Sequence, residues 1–140
     1  NKEPFTFTPP ADATRVEIVT IISGHGQTDG DMCAEWCNHE HYFTVNGGTN
    51  RHEVTYTDIQ NPLGCAARAG EGVVPGQWGN WSQSRAGWCP GLPVETVRFD
   101  ITGEVTLGGE NTVTYEASFN GNTPAGGDIS KNTYIVWYQD

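Results

Sequence analysis

The chain has 140 residues and carries seven Lys and Arg against 17 Asp and Glu, a net charge of -10. That length reads as a single domain over residues 1–140, large enough to bury roughly two thirds of the surface its unfolded chain would expose. The charge argues against nucleic acid and against an anionic membrane surface as partners, because phosphate binding needs clustered Lys and Arg and these are scattered; neutral or cationic ligands fit better.

Along the chain, short apolar runs alternate with Gly, Asn, Pro and Asp, and no window keeps a helical period beyond two turns, so the pattern is all-β. Phe5 and Phe7 make a short first strand that Pro9-Pro10 ends, since proline cannot donate to a central ladder. Residues 15–23 are rich in Val and Ile on both parities, which suits a strand covered on both faces, and Gly24-His25-Gly26 breaks it. Residues 41–46 set His41, Phe43 and Val45 on one face, and Asn46-Gly47-Gly48 turns the chain into a strand at 51–57. Residues 58–88 form a long glycine-rich stretch without regular pattern, and loops of that length in small domains are usually functional or stapled. Further strands are expected at 94–101, 104–107, 113–119 and 133–138, with 120–128 as a turn-rich loop. The expected fold is an eight-stranded antiparallel sandwich or jelly roll.

The four cysteines, the Gly-rich and Lys-poor composition and the sequon Asn80-Trp81-Ser82 suit an oxidising compartment, secreted or periplasmic. No apolar run approaches the roughly 20 residues that span a bilayer. Asn1 opens the chain without a Met or a basic, apolar leader, which reads as a processed or excised mature segment. Four cysteines allow three pairings, and spacing does not choose among them. A zinc site of all four is disfavoured, because Cys33 and Cys37 have no second close pair to match them.

The stretch from Cys33 to His41 concentrates the chemistry, with Glu35, Trp36, His39, Glu40 and His41 inside it. A tight Cys33/Cys37 loop would hold Glu35 and Trp36 up and outward on a rigid tip. Glu35 beside an indole is a candidate general acid or base, and its plainer reading is a loop glutamate bonded to nearby backbone. Trp36, Trp78, Trp81 and Trp88 offer flat faces of the kind that hold sugar rings, although one or two of them are expected in the core. Arg85, close to Trp88 and Cys89, is either a hydrogen-bond fork for a ligand or the structural partner of an acid. His39 and His41 project from one face of a strand, the spacing of a two-histidine metal site, with His25 or His52 as a third ligand. Their face also holds Phe43 and Val45, which favours buried, satisfied histidines. Nucleophilic serine or cysteine chemistry has no support, since there is no Gly-x-Ser-x-Gly elbow, and Gly24-x-Gly26 precedes no helix that could cradle phosphate.

These residues carry a resemblance. Ile22-Ser23-Gly24-x-Gly26, Cys33-Ala34-Glu35-Trp36-Cys37 with His41 following, Gly64-Cys65, and Asn80-Trp81-x-x-x-Arg85-Ala86-Gly87-Trp88-Cys89-Pro90-Gly91 resemble the second, C-terminal jelly-roll domain of the peptide-N-glycosidase F family, in order and approximate spacing along nearly the whole chain. The resemblance implies an eight-stranded jelly roll and disulfides Cys33 to Cys37 and Cys65 to Cys89. It implies a role in cleaving N-linked glycans from asparagine, without metal or cofactor. Glu35 and Arg85 would be catalytic, while Trp36, Trp88, Trp81 and His25 would line the substrate cleft. Partners implied are an N-linked glycan or glycoprotein and a preceding jelly-roll domain or chain that supplies the primary catalytic aspartate. Two positions depart from the pattern, with His25 where the family usually has tryptophan and His39 where no histidine is expected. They keep a second reading open, because the sandwich also resembles the copper domains of peptidylglycine monooxygenases. That reading is a copper- or zinc-binding module with His39, His41 and His25 or His52 as ligands; a non-catalytic glycan-binding module is the third.

Overall fold

A computed structural model of the chain describes residues 3–26, 33–76 and 80–140. Among the described residues the strands are β1 (Phe5–Phe7), β2 (Arg15–His25), β3 (Glu40–Val45), β4 (His52–Thr55), β5 (Thr96–Asp100), β6 (Asn111–Ser118) and β7 (Asp128–Tyr138), with a single helical turn, α1 (Cys33–Trp36), between β2 and β3. All pairings are antiparallel, in one sheet ordered β1-β6-β3-β4 and a second ordered β5-β2-β7.

Alternation places the core between the sheets. Along β3, His41, Phe43 and Val45 are buried while Glu40, Tyr42 and Thr44 are half-buried, so every second side chain points inward. Val16, Ile18 and Ile22 of β2 meet Phe43, Val45, Val54 and Val113 from the facing sheet in one cluster. Each such side chain contributes on the order of 1.5–3 kcal/mol by leaving water. The other parity of β2 is covered as well, as its composition implies: Glu17 is 1% exposed, accepts from Arg98 Nη1 at 3.0 Å and from the Tyr138 hydroxyl at 2.9 Å, and pairs with Arg15.

Two expectations are corrected here. The strand expected at 104–107, which would complete eight, is absent, and seven strands are found among the described residues. Residues Thr102–Glu104 form a short 3-10 turn instead, and the segment closes on Asn111. The Asn111 carboxamide accepts from Thr106 N at 2.7 Å and donates to the Thr106 and Gly109 carbonyls, both at 2.9 Å, so a side chain takes up backbone groups that a strand would have paired. Gly24-His25 does not end the second strand. It runs through His25, paired across to Asp128, because β7 starts at Asp128 rather than near Thr133.

The long stretch at 58–88 is stapled rather than loose. Cys65 bonds to Cys89, the 3-10 helix Ala66–Glu71 follows, and Cys65, Val73 and Cys89 form a second small cluster with Trp81 and Leu92 against it.

Candidate functional site

The site grows from α1, where Cys33 is joined to Cys37 and Cys37 N–H donates to the Cys33 carbonyl at 3.0 Å. Glu35 and Trp36 are 4% and 8% exposed, so the expected outward tip is corrected: the turn is wedged inward. Neighbouring backbone holds it there. Ala34 N–H donates to Gly126 at 3.0 Å, Ala86 N–H to the Glu35 carbonyl at 3.0 Å, and the Gln60 side chain to the Trp36 carbonyl at 2.7 Å. Gly24 permits the approach, since a β-carbon there would stand 1.5 Å from the Ala34 carbonyl oxygen.

Burial of a carboxylate requires a partner, and Arg85, 3% exposed, supplies it. Arg85 Nε donates to Glu35 Oε1 at 2.9 Å, and Gly26 N–H donates to Glu35 Oε2 at 3.0 Å. The rest of the guanidinium is held by Asn80, whose side-chain oxygen accepts from Nη2 at 2.6 Å and whose carbonyl accepts from it at 3.2 Å. Among the described residues Nη1 is buried without a partner, which leaves its two cationic N–H groups without an acceptor. The guanidinium lies 5.2 Å from the centre of the Trp36 ring and 4.7 Å from that of Trp88, within cation–π range of both. Burial lowers the Arg85 pKa while Glu35 opposes the fall, and the group stays a cation at any working pH.

Trp88 donates its indole N–H to the Gly24 carbonyl at 2.8 Å, and its ring packs 4.9 Å from that of His25. His25 Nε2 bonds Ser23 Oγ at 2.9 Å, and the His25 side chain reaches solvent. Arg85 and Trp88 also line a groove of about 660 Å³ that runs over Tyr56, Asp58, Ser84 and Glu95. In it the Tyr56 phenol, pushed up to about 12 by burial and by Glu95, stays protonated and donates to the Ile22 carbonyl at 2.8 Å.

Glu35, Trp36, Arg85, Trp88 and His25 are therefore brought together. Trp81, half-buried, packs against the Cys65–Cys89 cluster. Trp78 lies outside the described residues. Pattern reading missed Asn80 as the anchor of Arg85, although an amide five residues earlier on a stapled loop was the signal available.

His39 and His41 are both buried to 0% exposure and bond to each other, Nδ1 to Nε2, at 2.8 Å. His39 Nε2 meets the Ala34 carbonyl at 2.9 Å, and His41 Nδ1 meets the Tyr115 hydroxyl at 2.7 Å. Burial, with His39 adjacent, pushes His41 down to about 3; burial also lowers His39, against the bond to Ala34. Burial, then Tyr56, raises the Tyr115 phenol, so it remains a donor. Tyr115 is a further missed residue, visible in retrospect as the phenol on the inward parity of β6.

The alternative metal set does not converge. The nitrogens His39 and His41 would turn toward an ion are bonded to each other, His52 bonds Glu104 at 2.8 Å and packs on Phe99, and His25 sits on Trp88. Among the described residues no three His, Cys, Asp or Glu side chains gather as a ligand set. The donors present do not fit copper or zinc.

Fold and site define a disulfide-stapled antiparallel β-sandwich with a buried carboxylate–guanidinium pair framed by two indoles. A model of the family described as peptide-N-glycosidase F, C terminal, matches residues 1–137, and the chain belongs to that family. It is 33% identical over 115 residues to peptide-N(4)-(N-acetyl-β-D-glucosaminyl)asparagine amidase F of Elizabethkingia miricola, an alignment covering 79% of this chain and 29% of that protein. A crystal structure of peptide-N(4)-(N-acetyl-β-D-glucosaminyl)asparagine amidase superposes at TM-score 0.69 with 25% identity, over 99% of this chain and 44% of the other. PNGF-II, at TM-score 0.64 and 20% identity over 99% of this chain and 25% of that one, shares the fold. The chain thus spans less than half the length of these relatives.

Proposed function

We propose that this domain supplies the glycan-core binding surface and an auxiliary carboxylate for hydrolysis of the bond between asparagine and an N-linked glycan. The substrate is an N-linked glycoprotein or glycopeptide, and a preceding jelly-roll domain or chain supplies the primary catalytic aspartate. The observation that carries this reading is the Glu35–Arg85 pair set between Trp36 and Trp88 on a stapled turn.

The chemistry follows from the hydrogen bonding. Glu35 spends one acceptor position of each oxygen, on Arg85 and on Gly26, and a carboxylate offers about four in all, so lone pairs remain for a sugar hydroxyl or a water. Set beside a permanent cation, it offers these lone pairs to orient the sugar or the attacking water. Arg85 is catalytic in the sense that its free Nη1–H can meet oxygen charge developing beside it. The indole of Trp88 provides an apolar face against which a sugar ring packs, with His25 extending it, while the buried Trp36 ring backs the Arg85 guanidinium. The two disulfides support a secreted or periplasmic setting, and no described helix is long and apolar enough to cross a membrane.

The test separates the domain from its partner. The 140 residues alone should bind N,N′-diacetylchitobiose weakly and release no glycan from a denatured glycopeptide, and Trp88→Ala should abolish the binding. Robust glycan release by the isolated chain, or chitobiose binding indifferent to Trp88→Ala, contradicts the assignment.

A further inference from the structure

We propose that His39 is a positioning residue for Glu35, holding the peptide that precedes it through a buried hydrogen-bond chain that starts at Tyr115. The inference rests on the reading of Glu35 as the carboxylate that faces the glycan.

The chain of bonds has one consistent direction. A carbonyl can only accept, so the 2.9 Å contact of His39 Nε2 with Ala34 O puts the proton of His39 on Nε2. In a neutral imidazole Nδ1 then accepts, so the 2.8 Å bond to His41 is donated by His41 Nε2–H. His41 Nδ1 is in turn left to accept from the Tyr115 hydroxyl at 2.7 Å. Tyr115 to His41 to His39 to Ala34 is therefore a single relay of donors, and the phenol at its head selects the tautomer at its end.

The end of the relay sits where Glu35 is aimed. α1 is only a turn, closed by a backbone bond from Cys37 to Cys33, and among the described residues the Ala34 carbonyl has no helical partner. Gly24 closes over that oxygen so tightly that a β-carbon would lie 1.5 Å from it, which leaves His39 as the donor. The Glu35 peptide is then fixed on both sides, by His39 on the carbonyl before it and by Ala86 N–H on its own carbonyl at 3.0 Å. A site must be held to about half an ångström to work, and misplacement by about 1 Å costs about a hundredfold in rate. His39 with its proton on Nδ1 would turn a lone pair toward the carbonyl and release the turn.

The test uses the native protein that carries this chain, with whatever segments accompany it. Long-range proton–nitrogen NMR of 15N-histidine-labelled protein should show His39 and His41 neutral at pH 7 and protonated on Nε2; a proton on His39 Nδ1 overturns the inference without any variant. In glycan release, His39→Leu should lower kcat by about tenfold with KM for a glycopeptide changed less than about twofold, while His39→Gln, whose amide can donate to Ala34, should recover most of the rate. A Gln variant no better than Leu, or a folded His39→Leu at the wild-type rate beside an inactive Glu35→Gln, defeats the inference alone. If Glu35→Gln itself turns over normally, the reading of Glu35 falls and the inference with it. Should His39→Leu fail to fold, the Gln variant and the tautomer measurement decide.

Discussion

At the residue scale the site depends on a charge pair that is almost wholly buried. Glu35 and Arg85 bond at 2.9 Å with side chains 5% and 1% exposed, so neither can lose its partner cheaply. Removing one member of a buried pair costs about 3–5 kcal/mol, because the other charge stays buried alone. Glu35→Ala and Arg85→Ala should each lose that much by urea denaturation at pH 7, and the double variant should lose far less than their sum. Additive losses would mean that the two groups do not depend on each other. The sequence made these residues conspicuous, since each stands beside a cysteine and an indole. It did not reveal their pairing, which joins positions 50 apart, nor the burial of Glu35, which depends on Gly24, Gly26 and Ala86 arriving from elsewhere.

At the element scale, strict alternation made β3 and β6 legible, because one face of each is committed to the core. The expected strand at 104–107 was a false signal: its valine and leucine suit a strand, but Asn111 offers the backbone a competing set of bonds that apolar pattern does not register. α1 escaped notice because four residues are too few to show a helical period. Two outcomes belong here. Replacing Cys65 and Cys89 together by Ala should cost about 3 kcal/mol, the loop-closure entropy for a separation of 24 residues, and should open the stretch at 58–88 to protease. Unchanged melting and protease resistance would show that the small cluster around Val73 holds without the bond. Gly24→Ala should cost about 1–3 kcal/mol by overpacking against Ala34, read by denaturation; a neutral result would mean that α1 sits farther from β2.

At the scale of the whole molecule, the buried histidines couple stability to pH. Their folded pKa values lie below the unfolded value of 6.5, His41 at about 3, so below pH 6.5 the unfolded chain binds protons that the folded chain refuses. Stability should therefore fall as pH drops from 6.5 toward 3, by up to about 1.4 kcal/mol per pH unit from His41, with His39 acting in the same direction. Glu17 adds to the fall at the acid end: burial alone would raise its pKa, but Tyr138, Arg98 and Arg15 hold it below 4.5, so its contribution disappears as it protonates. Chemical denaturation between pH 4 and pH 7 checks this, and His41→Phe should flatten the slope. A pH-independent stability would mean that the histidines are solvated.

The central claim is that Glu35 serves glycan release, and rate is its direct measure. In the native protein that carries this chain, folded Glu35→Gln should release N-glycans from a denatured glycoprotein about a hundredfold or more slowly than the wild type, the usual weight of a positioned carboxylate. Release by folded Glu35→Gln at the wild-type rate would contradict the claim.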